Sequence, residues 1–268
     1  MKKIIGVMVF ITGILIFNSG CSKSDNAKPS KTFVLVHGAW QGAYVWQFVK
    51  GELEKLGQKV IVVELPAHGN DTTAAAKVSI NSYRDKVIAA INTANTKVIL
   101  VGHSLGGMVV SAVAESIPDK IEKLIYVAAF VPVNGQRLID LAGQDAQSQL
   151  GPSLIPSADQ LTLDIVPANR INIFCQDGSA SVKQLLTDKF RVEPAIPFGM
   201  PVSLTATAFG KVDKYYIHTM ADKAIGINLQ KQMALAAKIT KVYSLNSGHS
   251  PFLSVPDSLT NIFIDIIK

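Results

Sequence analysis

Cysteine is nearly absent: Cys21 and Cys175 are the only two in 268 residues. Two cysteines allow at most one disulfide. Cys175, in "INIFCQDG", reads as a small buried apolar residue, because no neighbouring base is there to activate it as a nucleophile. Charge is also scarce, at 17% of residues against 48% hydrophobic, which excludes a disordered or solvating chain. The formal charge of +6 comes from scattered lysines that are not interleaved with aromatics, a poor footprint for nucleic acid. No internal repeat and no low-complexity tract occurs, and no cluster of metal-ligating residues stands out. "GHSLGG" lacks the lysine of a phosphate-binding loop, so neither a metal nor another cofactor is expected.

The N-terminus, "MKKIIGVMVFITGILIFNSGCSKSD", has a basic start at Lys2 and Lys3 and an apolar run over 4–17. That run is short for a membrane-spanning helix and suits a signal peptide over residues 1–20. Losing Lys2 and Lys3 lowers the formal charge of +6 by two, to +4. Ser19 and Gly20 stand directly before Cys21, a context that resembles a bacterial lipoprotein processing site. The resemblance implies lipidation of Cys21, a membrane partner through that N-terminal lipid anchor, and a place in the cell envelope. It also removes the possibility of a disulfide within the monomer. Asn18 departs from the aliphatic residue usual three positions before such a cysteine, which keeps a plain secretory signal, giving a secreted or periplasmic protein, or an uncleaved anchor as the alternatives. Residues 21–31 are polar and read as a flexible tether.

Beyond the tether, 32–268 is long enough for one sizeable core. "TFVLVHG" (32–38), "KVIVVELP" (59–66), "KVILVGHS" (97–104) and "KLIYVAAF" (123–130) are continuous apolar runs, as expected of parallel strands covered on both faces. "KYYIHT" (214–219) and "KVYSLN" (241–246) add two more. Helical periods lie between them. "SYRDKVIAAI" opens at Ser82 with Asp85 at capping-box spacing, "LGGMVVSAVAESIP" stops at Pro118, and a last amphipathic helix spans about 257–267. The fold class is α/β, a mostly parallel central sheet with helices on both faces. Residues 131–211 break the rhythm with seven prolines and read as a helical cap insertion, with helical pieces at 135–141 and 180–188. The insertion falls where the strands' C-terminal ends open, so it should roof a mostly apolar pocket.

Gly102-His103-Ser104-Leu105-Gly106 satisfies G-x-S-x-G between a strand and a helix. Two glycines let strand and helix approach around a sharp turn that lifts the serine hydroxyl to the top of the sheet. A hydroxyl is a poor nucleophile without a base in reach. Of the five histidines, His37 and His103 sit in turn motifs, His68 follows a strand end, and His218 lies in a strand. His249, in the small-residue loop "LNSGHSPFLSVP" after the last strand, is the candidate base. Asp222 follows the 214–219 strand and is the candidate third member; Asp213 is at that strand's wrong end, and Asp257 comes after the base. The backbone N–H of Leu105, at a helix N-terminus, and that of Ala39, in the loop after the first strand, are the candidate oxyanion donors.

These motifs, "FVLVHGAWQGAYVW", "LPAHG", "GHSLGG", "YIHTMADKAI" and "GHSPFLSVP", make the chain similar to the α/β-hydrolase superfamily. Within it the chain resembles the branch of small esterases and plant hydroxynitrile lyases related to methyl-salicylate-type esterases. The likeness runs from Phe33 to the C-terminus and includes the cap segment "FRVEPAIPF". It implies Ser104, Asp222 and His249 as a triad, Ala39 and Leu105 as oxyanion donors, and a small-molecule ester as substrate. The lyases carry a lysine after the catalytic histidine and a threonine after the first-strand histidine. Here those positions are Ser250 and Gly38, which favours ester hydrolysis. A lyase acting on another carbonyl compound and a non-catalytic ligand-binding member of the fold are the alternatives.

Overall fold

The structure, a computed structural model, describes residues 30–268; the proposed leader (1–20), the proposed lipidation site Cys21 and residues 22–29 of the tether lie outside them. The chain alternates β1 (Thr32–Val36), α1 (Gln47–Lys55), β2 (Lys59–Val63), α2 (Ile80–Ile91), β3 (Val98–His103), α3 (Gly106–Ser116) and β4 (Ile121–Val127). It then crosses a long segment with α4 (Leu138–Ala142), β5 (Leu154–Pro156), β6 (Thr162–Ile165), α5 (Pro167–Phe174), α6 (Ala180–Lys189) and β7 (Glu193–Pro194). It returns as β8 (Lys214–Thr219), α7 (Ile227–Ala236), β9 (Lys241–Leu245), α8 (Pro251–Ser254) and α9 (Pro256–Ile266).

The main sheet has the order β2-β1-β3-β4-β8-β9, with every pair parallel. Every residue of β1 and β3 is buried, while the edge strands β2 and β9 are partly exposed. That burial explains why the central strands read as unbroken apolar runs. From β1 the chain steps outward to β2, then returns across β1 to β3. With right-handed crossovers, this reversal sends α1 and α2 to opposite faces. α1 accordingly packs on α9, and α2 on α3. The reversal also leaves a crevice between the C-terminal ends of β1 and β3, where ligands bind in open α/β sheets.

Two local expectations need correction. The helix after β2 opens at Ile80, because Ser79 and Ser82 form a reciprocal capping box that satisfies two backbone N–H groups. Asp85, expected to cap, instead meets the Arg84 guanidinium at the surface. The segment between β4 and β8 is not only helical: β5, β6 and β7 pair antiparallel into a small second sheet. These strands are two to four residues long, too short to show a period in the sequence.

Candidate active site

Ser104 sits on the turn between β3 and α3 with φ of 53°, a left-handed conformation that non-glycine residues adopt only when their surroundings enforce it. The enforcement is close packing. A Cβ on Gly102 would lie 2.8 Å from the Gly106 carbonyl oxygen, and one on Gly106 would lie 2.7 Å from the His37 carbonyl oxygen. The Ser104 carbonyl is held by N–H groups of Gly107 and Phe130, at 3.0 and 3.1 Å. Ser104 is 7% exposed.

The loops after β8 and β9 bring Asp222 and His249 together. Nδ1 of His249 lies 2.8 Å from Oδ2 of Asp222, and both side chains are buried. Asp222 is itself held from several directions: Oδ1 accepts the N–H groups of Ala224 and Ile225, and Oδ2 accepts Thr219 Oγ1–H and Gln230 Nε2–H. A carboxylate only accepts, so Nδ1 of His249 carries the proton and Nε2 presents a lone pair. Nε2 is buried and has no partner among the described residues; no hydrogen bond joins it to the Ser104 hydroxyl in this structure. The neighbour of the serine ties the two regions together. His103 donates from Nε2 to the His249 carbonyl at 2.8 Å, and the two rings are 4.6 Å apart. Burial holds the His103 imidazole well below its ordinary pKa, so it is a neutral strut.

The loop after β1 supplies the remaining groups. Ala39 and Leu105 are both buried, and neither backbone N–H finds an acceptor among the described residues. Unpaired buried N–H groups are rare in proteins, and here two flank the serine turn. The first-strand histidine is structural: His37 donates from Nδ1 to the Gly38 carbonyl and accepts the Leu65 N–H at Nε2. Burial lowers its pKa and keeps it neutral. Asp213 lies at the opposite end of β8, paired with Lys241, and Asp257 starts α9. Cys175 is buried, and burial pushes its thiol up to about 12, away from thiolate chemistry. Among the described residues, no three metal-ligating side chains cluster.

The segment between β4 and β8 covers this site and grips its loops. Gln176 donates to the Ala221 carbonyl, beside Asp222, and Asp177 accepts the Gly248 N–H, beside His249, both at 2.7 Å. A cavity of about 590 Å³ is lined almost entirely by this segment, Leu138, Leu150, Leu163 and Phe198 among its residues, with Phe130 and Ala224 also on its wall. Phe130 and Ala224 adjoin the serine turn and the Asp222 loop, so this apolar space borders the site. Sequence reasoning did not find Thr219, Gln230, Gln176, Asp177 or Glu193 as site supports. Only Glu193 left a trace, as an acid inside the proline-rich apolar stretch "RVEPAIPF".

A family model described as the alpha/beta hydrolase family matches residues 33–261. The chloroplastic candidate methylesterase 11 of Arabidopsis thaliana is 32% identical over 252 residues and covers 88% of this chain, which spans 64% of that protein's length, under two thirds. Polyneuridine aldehyde esterase of Rauvolfia serpentina is 27% identical over 259 residues, covering 90% of this chain and 97% of its own. Among solved structures, tomato methylketone synthase I complexed with 2-tridecanone superposes with a TM-score of 0.80 at 23% identity, over 89% of this chain and 98% of that one. At that identity the likeness is one of fold.

Proposed function

Because the chain belongs to the alpha/beta hydrolase family, we infer that it hydrolyses small carboxylic esters through an acyl-enzyme on Ser104. The observation that carries this reading is the buried His249–Asp222 pair: its Nε2 is left without a partner, and the His249 backbone carbonyl is held by His103, next to Ser104. In the reaction, Ser104 Oγ attacks the ester carbonyl as His249 Nε2 takes its proton. The oxyanion of the tetrahedral intermediate receives the N–H groups of Ala39 and Leu105, aided by the N-terminal dipole of α3. Collapse expels the alcohol, protonated by His249; water then attacks the acyl-serine by the same route and releases the acid. Asp222 stays ionised, orients the ring and stabilises the imidazolium.

The esterase names among the relatives support ester hydrolysis as the reaction type. The apolar cavity supports esters with a hydrophobic acyl or alcohol part. Cyanohydrin cleavage is disfavoured: Ser250 is fully buried, accepts from Gln41 Nε2 at 3.1 Å, and carries no positive charge to hold cyanide. The leader sequence supports a lipid-anchored protein of the cell envelope, with Cys21 as the acylated residue. The Ser104→Ala protein is expected to lose ester turnover by about a thousandfold or more with its melting curve nearly unchanged, and to lose labelling by a fluorophosphonate. Turnover that survives the substitution removes the assignment.

A further inference from the structure

A fully buried carboxylate lies outside the proposed triad. Glu193, 0% exposed, projects from β7 of the cap into the main domain. Its Oε2 accepts the backbone N–H of Trp40 at 2.8 Å and Nε2–H of His68 at 2.7 Å; its Oε1 lies 3.4 Å from the Tyr83 hydroxyl. His68 also donates from Nδ1 to the Pro66 carbonyl, so both ring nitrogens act as donors and the ring carries a positive charge beside the carboxylate. Trp40 directly follows the oxyanion candidate Ala39, and at φ of 59° it sits in the left-handed region, unusual for a bulky residue.

Every polar group of Trp40 is bound by the cap. Besides its N–H on Glu193, its carbonyl accepts the Arg191 N–H at 3.2 Å, and its indole N–H donates to the Leu163 carbonyl at 2.8 Å. Its ring packs against Phe174 and Phe198, also of the cap. The Arg191 guanidinium reaches on to the carbonyls of Gly69 and Asp71, beyond His68. Residues 191–193 thus fasten the loops after β1 and β2 at once. A strained backbone persists only where its surroundings over-determine it, and here the surroundings are the cap.

We propose that Glu193 is a positioning residue that sets the oxyanion-binding N–H of Ala39 by fixing the next peptide, and that residues 191–193 are a permanent latch rather than a hinge on which the cap opens. The proposal rests on the esterase reading for its kinetic consequence alone. A purely structural ion pair would change melting and leave the transition state untouched, so the distinction lies in kcat against KM and in oxyanion affinity.

In the Glu193→Ala protein, kcat is expected to fall about 10- to 100-fold, short of the loss of a whole oxyanion donor, with KM within about twofold of wild type. Affinity for a trifluoromethyl ketone, which forms an oxyanion on the serine, should fall by the same factor, while affinity for the parent methyl ketone stays unchanged. Glu193→Gln keeps an acceptor for the Trp40 N–H without the charge, so it should lie between, about three- to tenfold weaker for the trifluoromethyl ketone. If the alanine protein does not fold, the glutamine protein carries the comparison. Unchanged trifluoromethyl ketone affinity in whichever folded variant is measured overturns the proposal. If the wild-type protein turns over no ester, the functional reading fails separately, and hydrogen exchange then decides the latch. The Trp40 amide is expected to exchange at least about tenfold faster in the folded variant, and an unchanged rate refutes it.

Discussion

At the residue scale, Gly38 shows how closely the site is built. A Cβ there would lie 2.6 Å from the Cβ of Ser104 and 2.8 Å from Nδ1 of His103, nearer than real Cβ atoms approach. The Cβ of Ser104 is fixed to its backbone and the His103 ring is held on the His249 carbonyl, so the serine turn has to move. The threonine that the resembling lyases carry at this position therefore has no room here. Displacement of a reacting group by about 1 Å can cost about 100-fold in rate. Gly38→Ala is accordingly expected to lower kcat about 10- to 100-fold while the protein still folds. Steady-state kinetics beside a thermal melt checks it, and kcat within twofold of wild type in a folded protein would refute it. Ser104, His249 and Asp222 could be named as candidates from the sequence because each lies just after a strand, in a motif of small or turn-forming residues. Thr219 and Gln230, which hold Asp222, were not legible: nothing in "YIHT" or "INLQKQ" says that two side chains eleven positions apart will meet one carboxylate.

At the scale of elements, the short loop between α5 and α6 does work that its length hides. Gln176 and Asp177 bind the backbone of the Asp222 and His249 loops, so the cap clamps those two loops as well as the loop that carries Ala39. Asp177 is exposed, and a surface carboxylate receiving one N–H contributes modestly, about 1 kcal/mol. Asp177→Ala is therefore expected to reduce kcat about fivefold with little change in melting temperature, measurable on any ester the wild type accepts. A loss confined to KM would instead assign Asp177 to substrate binding. Most strands and helices of the main domain could be read from period and punctuation, since continuous apolar runs and 3.6-residue stripes reflect burial on two faces or one. The α2 cap was misplaced by three residues, at Ser82 rather than Ser79, because two serines, rather than serine and aspartate, cap it. The strands of the cap sheet were missed because proline and short length leave no period to detect.

For the whole molecule, the reversal of strand order between β2 and β3 opens the crevice, and the long excursion between β4 and β8 roofs it. If the leader is processed as its resemblance to lipoprotein signals implies, Cys21 tethers this catalytic domain to a membrane. Cys21→Ser expressed in a bacterial host is then expected to lose incorporation of labelled palmitate and to move from the membrane fraction, with ester turnover per folded protein unchanged. Palmitate labelling that persists would reject lipidation at that site. The sequence by itself determined the α/β alternation and the serine turn and named the candidate triad, because these depend on local pattern: strand burial, glycine spacing, and side chains carried just past strand ends. Only the tertiary structure decided how the cap meets the site, including the Glu193–His68–Trp40 latch and the apolar cavity. The latch contacts join residues more than a hundred positions apart, and the proximity that makes a buried carboxylate a partner rather than a liability exists only once the chain has closed on itself.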